Sequence, residues 1–279
     1  MPVTATDVIS DDDVEAVLEE RTQEMYQFRR AYRDHDATDI DSNQHGFPQA
    51  TDNVRGAMDE VAEESDYPRA SLNYEEVTAN YTKDGFEIAI SDEAVSDSVF
   101  DIIMDVTEEM GIAAERRLDA LAWSLMDPNQ GDNNNSTTVG TDSNDMNYQA
   151  VVDAYTTLVE DEFSPDSAEF LVSPDAFGDL ATDSNFTQAT EPGEETIRGG
   201  VLGTPFGIPV NITNTGDLDD DEGFLVDTSK YGYESTRWNR EVTNYREESK
   251  DRDVFKIRHR KDFVVMKSGA AVYIQGGSS

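Results

Sequence analysis

Thr82-Lys-Asp-Gly-Phe-Glu-Ile-Ala-Ile-Ser-Asp-Glu-Ala-Val95 decides how the chain is read. Phe86, Ile88 and Ile90 alternate as on a strand, and Ser91 then opens a helix with Asp92 and Glu93 in its first turn. A hydroxyl there caps backbone N–H groups, and negative charge meets the positive end of the helix dipole. Upstream, Leu72, Tyr74, Val77, Ala79 and Tyr81 also alternate, and Lys83-Asp84-Gly85 separates the two runs. An Asp-Gly pair between alternating runs predicts a hairpin, because both central residues accept positive φ. The stretch reads as a two-stranded limb joined directly to a helix.

That helix is predicted to be long. Val95, Val99, Ile102, Val106, Met110, Ala113, Leu118, Leu121 and Leu125 follow at steps of mostly three or four, and Asp127-Pro128 ends the run after Met126. A helix of about 35 residues spans roughly 52 Å. Gly111 costs it about 1 kcal/mol relative to alanine, which predicts a bend or a close contact.

On the N-terminal side, residues 7–33 read as an amphipathic helix with Arg29, Arg30 and Arg33 clustered at its end. Residues 34–66 are polar, with only a brief helical echo at Val54, Ala57, Met58 and Val61. A stretch of that length without structure is expected to reach outward to a neighbour.

On the C-terminal side, Tyr148 to Glu162 is again amphipathic, and Phe170-Leu171-Val172 is a short apolar strand. Ser173-Pro174 starts a helix carrying Phe177 and Leu180 inward. Glu191 to Gly200 reads as a loop. Strands are expected at Ile208–Ile212, Phe224–Val226, Val242–Tyr245, Val254–Arg258, Phe263–Met266 and Ala271–Ile274. Helices and strands mix without regular βαβ alternation, so the class is α+β.

Composition narrows the setting. With 279 residues and 37% hydrophobic content the chain can bury a core. Asp plus Glu number 60 against 21 Lys plus Arg, a formal net charge of -39 spread along the whole sequence. This suggests adaptation to high salt: at molar ionic strength the Debye length falls to about 3 Å and self-repulsion is screened. The alternative is an acidic partner-binding protein of ordinary cytosol, which usually concentrates its acids in blocks. Cysteine is absent, which excludes disulfides, thiolate metal sites and thiol nucleophiles. Residues 1–13 lack the n- and h-regions of a signal peptide, and no stretch approaches the ~20 apolar residues of a membrane span.

The order of parts resembles the Hong Kong 97-type capsid fold of tailed double-stranded DNA viruses. Thr82 to Val95 is similar to the family's extended-loop return strand entering its spine helix, and Ala113 to Leu125 to the second half of that helix. Phe170-Leu-Val-Ser-Pro174 resembles the axial domain's strand and helix start. Gly200-Val-Leu-Gly-Thr-Pro-Phe-Gly-Ile-Pro-Val210 and Gly223-Phe-Leu-Val-Asp227 resemble its glycine-rich element and following strand. Asp253 to Asp262 with Ala270-Ala-Val-Tyr-Ile274 resembles the closing strands. The likeness covers residues 67–274, and its weight lies in the shared order of individually weak motifs.

The resemblance implies an N-terminal arm at 1–33, an extended loop at 34–90, a spine helix and first peripheral part at 91–147, an axial domain at 148–235, and peripheral strands with the C-terminus at 236–279. It implies a non-enzymatic major capsid protein, assembling in the host cytoplasm into hexamers and pentamers of an icosahedral shell around double-stranded DNA. Scaffold, portal and decoration proteins would be its other partners; no cofactor and no membrane are expected. A large scaffolding domain would have to precede residue 1 or be a separate protein. The charge pattern points to a virus of a halophilic archaeon. In this reading the arm of residues 34–90 lies across the next subunit. Some relatives cross-link through a loop lysine, but residues 34–82 contain none and Lys83 falls at the turn, so no such bond is expected.

Candidate interface residues are Arg29, Arg30, Arg33, Phe47, Tyr67, Tyr74, Arg237, Arg240, Arg246 and Arg258. Ten of the 21 basic residues fall between Arg237 and Lys267, interleaved with acids, which favours intersubunit ion pairs over a face toward packaged DNA.

Catalytic readings fare poorly. His35, His45 and His259 are the three histidines, none lies in a nucleophile-elbow context, and all read as surface or interface residues. Gly203 to Gly207 lacks the lysine and spacing of a phosphate loop. Asp217-Leu-Asp-Asp-Asp-Glu-Gly223 resembles half a calcium loop with its glycine misplaced and Thr228 where Glu is required, so a solvated acidic loop is favoured. Two rivals stay open: an encapsulin-like compartment, which shares the fold but packs enzymes, and an acidic halophilic soluble enzyme.

Overall fold

The computed structural model describes residues 27–51, 60–61, 66–67, 69–97, 102–128, 135–141, 145–183, 205–213, 218 and 221–277. Among them, strands Gly232–Glu247 (β9) and Arg252–Val265 (β10) form a long antiparallel hairpin. It turns through Asp251 in the left-handed region, φ 44°. Asp84–Ser91 (β4) adds antiparallel to β10 and Tyr32–Asp36 (β1) adds parallel to β9, giving the order β1-β9-β10-β4.

A second sheet of five strands runs Thr137–Val139 (β5), Ala271–Gln275 (β11), Glu222–Asp227 (β8), Ala168–Val172 (β6) and Val210–Ile212 (β7). A two-stranded ribbon pairs Gln44–Ala50 (β2) with Tyr74–Asn80 (β3).

The expected spine appears as Asp92–Asp97 (α1) and Ile102–Met126 (α2), with residues 98–101 outside the described ones. The Ser91 hydroxyl accepts from the Ala94 N–H at 3.3 Å, and the helix ends at Met126 as Asp127-Pro128 dictates. It continues through Gly111. Val106, Met110 and Ala114 of α2 pack on Ile88, Val242, Phe255 and Ile257 of the four-stranded sheet. One, two and three turns on, Leu118, Ala122 and Met126 enter a core with Phe28, Tyr32, Phe224, Tyr231, Phe263 and Tyr273, which joins the two sheets.

Tyr148–Glu160 (α3) and Pro174–Thr182 (α4) cover the five-stranded sheet through Val151, Ala154, Leu158, Ala176 and Leu180. Both caps are local. The Asn147 side chain accepts from Ala150 N–H, and the Ser173 side chain accepts from Ala176 N–H with Pro174 at the first turn.

Four expectations need correction. Residues 28–33 are not the end of a helix: Phe28–Ala31 is a 3-10 turn, and Tyr32 and Arg33 begin β1, because Phe28, Ala31 and Tyr32 are drawn into the central core. Residues 7–26 lie outside the described residues, as does the loop at 191–200. Second, β3 and β4 do not pair with each other. Asp84-Gly85 lies inside β4 opposite His259 and Arg258, and a Cβ at Gly85 would sit 2.5 Å from the Ile257 carbonyl. The glycine serves close backbone approach instead of a turn.

Third, the described part of residues 34–66 is not structureless. β2 pairs with β3, and both are fixed to the chain's own body. The Asn80 N–H donates to Asp262 at 2.6 Å, Lys267 Nζ to the Ala50 carbonyl at 2.9 Å, and Gln49 to the Met266 carbonyl. Fourth, the boundary at 235/236 does not follow the sheets. β9 begins at Gly232, and β11 returns to the five-stranded sheet between β5 and β8, because its Ala271–Ile274 run is apolar on both faces.

Candidate assembly surfaces

Arg29 lies at the centre of the charge network joining the N-terminal turn, the spine helix and the four-stranded sheet. Its guanidinium grips Glu234 through two hydrogen bonds, Nε at 2.9 Å and Nη2 at 2.8 Å, and also contacts Glu115. Its backbone N–H donates to Asp119. Lys261 reaches Glu234 at 2.8 Å and Arg240 reaches Glu115 at 2.6 Å. Glu234 is 2% exposed. Burial pushes its carboxyl upward, but the charges of Arg29 and Lys261 outweigh this and hold it below the usual carboxylate range. Burial likewise opposes the Arg29 charge, and Glu234 with Glu115 more than offsets it.

The sheet face away from α2 carries a ladder of alternating charge. Arg258 pairs with Glu241, Lys256 with Glu87, and Arg252 and Lys250 with Glu247. Trp238 lies under the guanidinium of Arg260 at 4.9 Å and that of Arg258 at 5.9 Å. At the sheet's end Arg246 forms a two-pronged pair with Asp92 at 2.5 and 2.6 Å. Its charge is held by those hydrogen bonds and by Asp253 nearby. β4 is an edge strand, and charge beside such an edge opposes unwanted strand pairing.

The remaining candidates separate into two groups. Arg30 pairs with Glu169, Arg33 bonds and overlies Tyr233, and Arg237 donates to the Thr38 carbonyl. Phe47 is 5% exposed, stacked 5.3 Å from Tyr233 and edge-on to His35 and His45, so its contacts are internal. Tyr67 and Tyr74, by contrast, are 81% and 62% exposed, with Leu72 at 39% between them. Tyr74 begins β3, and Leu72 and Tyr67 lie on the segment that leads into it.

Sequence reasoning missed the acidic half of the network. Glu115 and Glu234 look like ordinary surface carboxylates in an acidic chain, and only the α2–sheet packing buries Glu234 and brings Glu115 to Arg29 beside it. The histidine expectation holds in part: His35 and His45 stack at 5.2 Å near the surface, but His259 is only 3% exposed within β10. Asp221 of the acidic loop approaches Asp145 and Asp179, with carboxylate atoms within 4.8 Å of one another. No described helix is long and apolar enough to cross a membrane.

The described residues thus form an α/β body in which a spine helix backs one sheet, a ribbon is anchored to that body, and a sheet face carries ion-pair ladders. A profile of the phage capsid protein family matches residues 75–274, and the chain belongs to that family. Solved structures agree in fold. The Mycobacterium phage Che8 structure is 15% identical, with TM-score 0.69, covering 90% of this chain and 92% of that one. The capsid of cyanophage P-SCSP1u is 10% identical, with TM-score 0.68 and coverage of 90% and 88%. The virus-like particle from Pyrococcus furiosus is 9% identical, with TM-score 0.61 and coverage of 94% and 98%. No curated protein matches the sequence significantly. The chain is a structural protein of the virion capsid.

Proposed function

We propose that this is a Hong Kong 97-type major capsid protein whose rings of six and five enclose double-stranded DNA, in a virus of a halophilic archaeon. The four-stranded sheet with the spine helix serves as the peripheral domain, and the five-stranded sheet with α3 and α4 as the axial domain. Scaffold, portal and decoration proteins complete the particle. The observation that carries the reading is the run from Tyr67 into β3: the ribbon is fixed to its own subunit, yet Tyr67, Leu72 and Tyr74 stay exposed. Exposed aromatics beside a braced ribbon suit burial on another copy.

The host assignment rests on charge. With 60 acids against 21 bases, copies repel one another in dilute buffer and associate once salt shortens the Debye length. The lysine-free residues 34–82 support a shell held without isopeptide bonds. Electron microscopy of purified protein in molar salt is expected to show closed shells that boiling in detergent reduces to a single monomer band. Small discrete particles would favour an acidic soluble protein, and a covalent ladder would refute the uncross-linked shell. A cargo enzyme inside native particles in place of DNA would point to a compartment instead.

A further inference from the structure

Where β4 leaves the loop and crosses the spine helix, a half-open cavity of about 190 Å³ is lined by Asp84, Phe86, Ala113, Arg117 and His259, among others. Asp84 and His259 are partners in register across β4 and β10. Opposed residues in such a pair hold their Cβ atoms roughly 4.5–5.5 Å apart. His259 Nε2 and Asp84 Oδ2 are both buried without a hydrogen-bond partner. Two polar atoms of this kind on facing residues call for a partner in the cavity between them, a water or an ion. The other Asp84 oxygen, Oδ1, already accepts from Arg117 Nε at 3.3 Å, which orients the carboxylate and leaves Oδ2 free.

An imidazole nitrogen beside a carboxylate oxygen is the donor set of first-row divalent transition ions, zinc among them, whereas calcium and magnesium take oxygen. We propose that Asp84 and His259 bind a zinc-like divalent cation at the junction of β4, β10 and α2, with water completing its coordination. The cavity has room for those waters. The ion clamps the first residue of the edge strand to the sheet, at the root of the extended loop. This clamp is independent of how copies assemble.

The test is a cobalt(II) titration of the purified protein in excess magnesium, which saturates sites made of oxygen alone. The expected result is saturable binding with a visible cobalt absorption band and a raised unfolding midpoint. His259→Gln and Asp84→Asn should each weaken binding by about tenfold or more. Asp179→Asn, in the acidic cluster away from the cavity, should leave it unchanged. Circular dichroism checks folding, and the isosteric Asp84→Asn carries the test should His259→Gln fail to fold. No saturable cobalt binding by the unaltered protein, or binding that Asp84→Asn leaves intact, overturns the site.

Discussion

In the five-stranded sheet, Phe170 to Val172, Phe224 to Val226 and Val272 to Ile274 are all exposed by 3% or less, whereas the strands of the four-stranded sheet alternate between core and charge. The first sheet is covered by α3 and α4 on one side and by the central core on the other. The second has one face under the spine helix and the opposite face bearing ion pairs. One is held by apolar burial that salt scarcely touches. The other adds electrostatic links whose strength depends on their depth.

Substitutions sharpen that contrast. Phe224→Ala, removing a fully buried ring between the two sheets, is expected to cost about 3–5 kcal/mol in chemical denaturation, equally at low and molar salt. Glu234→Gln leaves the charges of Arg29 and Lys261 without their buried partner and is expected to cost about 3 kcal/mol, persisting in molar salt because buried pairs are poorly screened. If that cost vanished with salt, the network would be behaving as a surface feature.

Glu234 also sets a pH dependence. Its folded pKa lies below the unfolded value, so its stabilisation is fully present above the unfolded carboxylate pKa of about 4.3 and is lost as pH falls through the folded value. Denaturation midpoints followed from neutral pH into that acid range should fall more steeply for the unaltered protein than for Glu234→Gln. Arg258→Ala, in the half-exposed ladder, should change stability by about 0.5 kcal/mol or less and by nothing measurable in molar salt.

The same contrast explains what could be read from the sequence. The five-stranded sheet and its helices were legible because their signals are local: the apolar run at Phe170–Val172, the Ser173-Pro174 start, and the Tyr148 periodicity ending within two residues of its observed stop. The spine was legible from its caps. The four-stranded sheet was not, because its pairing is decided far along the chain. β1 joins β9 about 200 residues away, and β4 pairs with β10 in place of its sequence neighbour β3. Asp84-Gly85 carries the same letters as a hairpin turn, and only the approach of the Ile257 carbonyl reveals its other use. Among the candidate interface residues, arginines such as Arg29 and Arg240 found carboxylates within the chain, which no spacing could announce. Tyr67 and Tyr74 remain without a cover.

The exposed run at Tyr67 and Leu72 leads to the direct test of the shell account. Residues 52–72, beyond the anchored ribbon, are replaced by a short glycine-serine linker, and the purified variant is compared with the unaltered chain in molar salt by electron microscopy and sedimentation. The account predicts a folded subunit with native circular dichroism that no longer closes into shells; shells of normal size and stability would contradict it.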